Sequence, residues 1–162
     1  MKKGIWIGLG ALALIIFSSR KAMAQSSSGD RGYINKNPGN IRKSNITYKG
    51  EINPSSDPAF KQFQSMAFGY RAMFKLLQAY INAGWNTINI MLNHYAPPTD
   101  GNHTDNYINF VSGQTGIDPD QVISINDSIA LAGIVKAISK MENGIVANNQ
   151  EVLDGYNLFL TA

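Results

Sequence analysis

The 162-residue chain has no cysteine and only two histidines, His94 and His103. The first absence excludes disulfide staples and a thiol nucleophile, so an extracytoplasmic domain built from this chain must rely on its own core. The second leaves no H-E-x-x-H pattern and no histidine cluster with metal-ligand spacing. Phosphate-cradling loops, dinucleotide fingerprints and internal repeats are missing as well. Neither a metal nor a cofactor is therefore expected. What remains is carboxylate chemistry, or binding without chemistry.

Long apolar runs are also scarce. The one pronounced run, Gly4 to Phe17, follows Met1-Lys2-Lys3 and precedes Ser18-Ser19-Arg20-Lys21-Ala22-Met23-Ala24. A membrane-spanning helix needs about 20 apolar residues. A basic start, a short apolar core and a small-x-small tail is also the pattern of a secretory signal. Residues 1–24 therefore read as a transmembrane anchor or a signal sequence, with a buried soluble helix as a third reading. As an anchor, residues 4–19 would meet the lipid, and Arg20 and Lys21 would reach the headgroups. Residues 25–29 read as a short linker. Residues 30–162 suffice for one domain.

The leader also explains the charge. Fourteen basic and eleven acidic residues give +3, but Lys2, Lys3, Arg20 and Lys21 belong to the leader. The rest is close to neutral, which argues against nucleic acid as a partner. A local basic cluster, Lys36, Arg42, Lys43 and Lys49, is spread over a glycine- and asparagine-rich stretch.

Residues 30–58 are polar and turn-rich, with short strands expected around 40–42 and 46–49. The remainder has helical periodicity. Helices are expected over Met66–Ala83, stopped by Gly84, and over Thr87–Tyr95, capped by Asn86 and ended by Pro97-Pro98. Further helices are expected over Asn102–Ser112, from Asn126 or Asp127 to Gly144, and near Asn149–Leu160. Asp118–Ile123 reads as one short helical turn, with Pro119 at its start. The fold class is mostly α, a helical body with a small polar lobe.

Two carboxylates stand out. Glu51 follows Tyr48-Lys49-Gly50 at the boundary of the polar lobe, where an acid beside an aromatic ring is placed for general acid catalysis. A surface glutamate in a loop is the plainer reading. Glu142, in Met141-Glu142-Asn143-Gly144, ends a helix whose dipole disfavours an acid there. It pairs with a lobe cation, orients a ligand, or is simply exposed.

The segment Arg31-Gly32-Tyr33-Ile34-Asn35-Lys36-Asn37-Pro38-Gly39-Asn40-Ile41-Arg42 resembles the opening motif of a phage and prophage family of virion structural proteins and lysozyme-like peptidoglycan hydrolases. The likeness continues through Tyr48-Lys49-Gly50-Glu51, Phe60-Lys61-Gln62-Phe63, Gly69-Tyr70-Arg71-Ala72 and Thr87-Ile88. It extends to His94-Tyr95-Ala96-Pro97-Pro98, Asn102-His103-Thr104-Asp105-Asn106-Tyr107 and Met141-Glu142-Asn143-Gly144. It departs at Tyr48 and Tyr95, where the family commonly has tryptophan, and at Gly101, where it has glutamate. The resemblance implies a lysozyme-superfamily-like domain with a sugar-binding cleft between body and lobe.

By the same resemblance, the substrate would be the glycan strand of peptidoglycan, cut by lytic transglycosylation or hydrolysis. Glu51 would be the acid, with Glu142 the next candidate. Asn37, Asn40, Tyr48, Tyr70 and Tyr95 would touch sugar, and Arg71 would pair with Glu51 or Glu142. Each has a structural alternative: the asparagines can hold turns, and Tyr70 and Tyr95 can be core residues. The shortage of a second carboxylate favours transglycosylation over two-acid hydrolysis. The implied location is an internal virion membrane or a bacterial inner membrane with the domain outside the cytoplasm, or else the periplasm. Capsid or other virion membrane proteins are further implied partners. An inactive virion scaffold and a secreted wall-remodelling enzyme are the rival readings.

Overall fold

The computed structural model describes residues 31–144 and 146–161. The expected anchor or signal, residues 1–24, and the linker, residues 25–29, lie outside the described residues. Six helices and one two-stranded sheet make up the described fold: α1 (Arg31–Ile34), β1 (Glu51–Ile52), β2 (Gln62–Phe63), α2 (Met66–Asn82), α3 (Ile88–Tyr95), α4 (Thr104–Thr115), α5 (Ser128–Asn143) and α6 (Asn149–Leu160). A 3-10 turn, Pro98–Asp100, joins α3 to α4. The mostly helical class with a small sheet is as the sequence indicates. Among the described residues no helix is long and apolar enough to cross a membrane.

Side-chain caps set the helix starts, satisfying amides that have no partner within the helix. Ser65 accepts from Phe68 N, Asp127 from Ala130 N, and Asn148 from Gln150 N and Glu151 N. Thr87, rather than the expected Asn86, caps α3: its hydroxyl accepts from Ile90 N, while the Asn86 carbonyl accepts from Ile123 N. Gly116 and Gly144 end α4 and α5 in the left-handed conformation. The short turn expected over 118–123 is present as a single β-turn and does not extend into a helix: Gln121 N donates to the Asp118 carbonyl at 3.0 Å, and Asp118 Oδ1 also takes the Asp120 amide at 2.9 Å.

α2 is the central element. Tyr70, Met73, Phe74, Leu77 and Tyr80 are all nearly inaccessible. α6 lies along α2, and a Cβ at Gly155 would stand 2.6 Å from Tyr70 Cβ, so only glycine permits this approach. α5 and α4 pack together on the body, and α3 packs on α4.

The lobe, residues 31–63, differs from expectation in detail. Residues 31–34 are helical, and 46–49 form no strand. β1 pairs with β2 in an antiparallel register, Glu51 opposite Phe63 and Ile52 opposite Gln62. Arg42 makes an isolated bridge to Phe60. The lobe rests directly on α2 at Gly69, where a Cβ would come within 2.1 Å of the Lys36 carbonyl oxygen.

Gly69→Ala should therefore destabilise the protein by roughly 1–3 kcal/mol through overpacking. Gly113→Ala, in open space on α4, should instead stabilise it by up to about 1 kcal/mol. Urea denaturation of both variants checks the pair; equal effects would contradict this packing.

Candidate functional site

The predicted residues divide into two groups. The first belongs to the lobe interior. Glu51 Oε1 stands 2.8 Å from Lys61 Nζ, and both side chains are nearly sealed from solvent, at 8% and 1% exposure. Glu51 Oε2 accepts from the Tyr48 amide at 2.9 Å. Lys61 Nζ also donates to the Ile46 carbonyl at 2.7 Å and lies 5.6 Å from the Tyr48 ring centre. Burial, followed by the Glu51 charge, pushes the Tyr48 phenol up to about 12. Tyr48 thus packs around an ion pair inside the lobe, edge-on to Phe63.

Asn37 is fully enclosed. Its amide nitrogen donates to the Ile41 and Lys61 carbonyls, and its oxygen accepts from Ile41 N, each at 2.9 Å. These bonds stitch the lobe's turn to its β-ladder.

The second group forms the seam between lobe and body. Glu142, half-buried at the end of α5, accepts from Tyr107 OH at 2.8 Å and from Asn40 Nδ2 at 3.1 Å. Asn40 reaches it from a left-handed backbone conformation, φ 45°. Tyr95 OH donates to the Gly39 carbonyl, and its ring meets Tyr107 edge-on. Next to Glu142, Asn143 donates to the Pro38 carbonyl at 2.7 Å. The tail of α5 therefore grips the lobe's 38–40 turn. Burial, then the Glu142 charge, holds the Tyr95 and Tyr107 phenols well above their usual range. Both tyrosines stay neutral donors at physiological pH.

Tyr70 and Arg71 belong to neither group. Tyr70 is buried and shares a hydrogen bond with Ser139 at 3.3 Å. Arg71 does not make the expected pair with Glu51 or Glu142. Its Nε donates to the Leu158 carbonyl at 3.2 Å, tying α2 to α6. The structure thus joins Asn40, Tyr95 and Glu142 at the seam, and Tyr48 with Glu51 in the lobe.

Two participants went unread as site residues. Lys61, just before β2, is buried on the same side as Phe63 two residues on, and that alternation is its signal. Tyr107 lies on the apolar side of α4 with Ile108 and Val111, where it passes for core. A cavity of about 1060 Å³ lies elsewhere, among α4, α5 and α6, bordered by Gln114, Lys136, Lys140, Val146, Leu153 and Tyr156. Among the described residues no cluster of three or more metal-ligating side chains occurs.

Fold and seam together define a helical domain whose small polar lobe rests on α2 and is tied to the body by α3 and the end of α5. No protein-family model matches the chain. Protein P5 of Pseudoalteromonas phage PM2 is 35% identical over 124 residues, covering 74% of this chain and 75% of that protein. The chain belongs to this phage protein family.

Lys61→Met leaves the Glu51 carboxylate buried without its cation and should cost about 3–5 kcal/mol. Lys61→Met with Glu51→Gln should cost less than the sum of the single changes. A double-mutant cycle in urea measures this coupling; simple additivity would mean that the pair contributes nothing.

Proposed function

We propose that this protein cuts the glycan strands of peptidoglycan on behalf of a phage, from a membrane-anchored position in the virion, with Glu142 as the general acid. The observation that carries this reading is the Asn40–Glu142–Tyr107 arrangement at the seam between lobe and body. It holds a half-buried carboxyl group between two neutral donors, at the junction where a lysozyme-like cleft would lie. Membership in a phage protein family supports the setting. The apolar run Gly4 to Phe17 supports the anchor.

In this reaction Glu142 protonates the glycosidic oxygen as the bond to the anomeric carbon breaks. The 6-hydroxyl of the same sugar attacks that carbon, closes a 1,6-anhydro ring and returns its proton to the carboxylate. One acid suffices because the nucleophile is intramolecular. Asn40 and Tyr107 orient the carboxyl group. Glu51 is the second candidate for the acid, but its ion pair with Lys61 suits it better to holding the lobe together.

A scaffold role is the second reading. It is favoured by a specific observation: both glutamates are hydrogen-bonded within the fold, and the cavity among α4, α5 and α6 lies away from them.

The test is mass spectrometry of fragments released from purified peptidoglycan by the parent, Glu142→Gln and Glu51→Gln. The parent should yield anhydro-sugar ends, and Glu142→Gln should release about 100-fold less or lower while remaining folded. Glu51→Gln should melt lower but keep its activity while folded. Activity lost only in a folded Glu51→Gln protein would move the acid to Glu51. A folded parent without product across pH ~4–8 would leave the scaffold reading.

A further inference from the structure

Charge is divided unevenly between the two parts of the domain. The lobe carries six basic residues, Arg31, Lys36, Arg42, Lys43, Lys49 and Lys61, against two acids, Glu51 and Asp57. Residues 64–161 carry four basic and eight acidic residues. Each lobe acid is already matched, Glu51 by Lys61 and Asp57 by Arg31. Among the described residues, Lys36, Arg42, Lys43 and Lys49 have no ion-pair partner.

Arg42 is the most constrained of these four. It bridges Phe60 across the small ladder, and its guanidinium carbon lies 5.0 Å from the centre of the Phe60 ring. Arg31 approaches the same ring at 5.1 Å. One aromatic side chain therefore gathers two guanidinium groups, only one of which has a carboxylate. Arg42 Nε is shielded from solvent and has no hydrogen-bond partner. Two residues to either side, Asn40 Oδ1 and Ser44 Oγ are in the same condition. Three of the four side-chain atoms that are buried unmatched in the described fold thus lie within 40–44. Unmatched buried polar groups are costly and uncommon, and two of these three, Arg42 Nε and Ser44 Oγ, are donors that suit an anion.

We propose that this face of the lobe binds the carboxylates of the peptide stems of peptidoglycan, with Arg42 as anchor and Phe60 as platform. The identity of the anion rests on the wall substrate proposed above; the site itself stands on the geometry of Arg42. A guanidinium held in place on an aromatic ring presents its donors in a planar fork, which fits a carboxylate. An anionic bilayer would draw on solvated lysines at a flat surface, and Arg42 is half-buried and fixed. The lobe would thereby hold the peptide while the seam faces the sugar strand.

The test uses the full chain in detergent and a fluorescent stem tetrapeptide, with the same peptide amidated at its carboxylates as control. The free-acid peptide should bind about tenfold tighter than the amidated one. Arg42→Gln should weaken binding about tenfold or more, and Arg42→Lys should also weaken it because the fork is lost. Lys75→Gln, on α2, should change nothing. If Arg42→Gln fails to fold, Arg42→Lys carries the test. Equal binding of the two peptides, or unchanged binding by the Arg42 variants, overturns the proposal. So does a loss in those variants confined to anionic phospholipid vesicles. Peptide binding without glycan cleavage would sink the enzyme reading alone, and cleavage without peptide binding would sink this inference alone.

Discussion

The lobe depends on one buried cation. Lys61 is almost wholly withdrawn from water, and its desolvation is offset only because Glu51, the Ile46 carbonyl and the Tyr48 ring surround it. Those partners all lie within residues 46–51, a stretch with little regular structure. Two strands of two residues each supply few ladder bonds, so polar side chains must fix the path. Asn37 works in the same way, with three hydrogen bonds to backbone in the turn and the ladder. The lobe is held from inside by polar groups, whereas the body is held by apolar packing around α2.

These two kinds of order meet at the end of α5. Glu142 and Asn143 are neighbours on the helix, and both bind the 38–40 turn. Tyr95 adds a third link, to the Gly39 carbonyl. α3 and α5 therefore both address one short turn of the lobe, and α4 braces them through the bond from Tyr107 to Glu142. This seam holds the Glu142 carboxyl group in one setting, between Tyr107 and Asn40. That fixed setting suits the general acid role proposed for Glu142, and it suits a rigid scaffold equally well.

Much of the body was legible in the sequence because its signals are local. The apolar spacing of α2 and α6 and the caps at Asp127 and Gly144 depend on a few neighbouring residues. Asn86 and Thr87 were harder to separate, since both are good caps and a contact to distant Ile123 decides between them. The lobe was legible only as polar and turn-rich. Its strand positions follow from which side chains meet across distant stretches, as in the Lys61–Glu51 pair. Arg71 shows the same limit: a carbonyl on α6, 87 residues away, accepts from it. Glu142 and Asn40 could be singled out from sequence, but Tyr107 could not, because a tyrosine on an apolar helix face looks the same whether its hydroxyl is used or not.

Asn40 has a consequence for which amino acids this lineage can accept. Its backbone lies at φ 45°, which glycine, asparagine and aspartate tolerate best. Its side chain must also donate to the Glu142 carboxylate. Glycine meets the first demand and forfeits the second. Aspartate would set one carboxylate against another. Position 40 thus favours asparagine on two counts, the Ramachandran map and a glutamate 102 residues away.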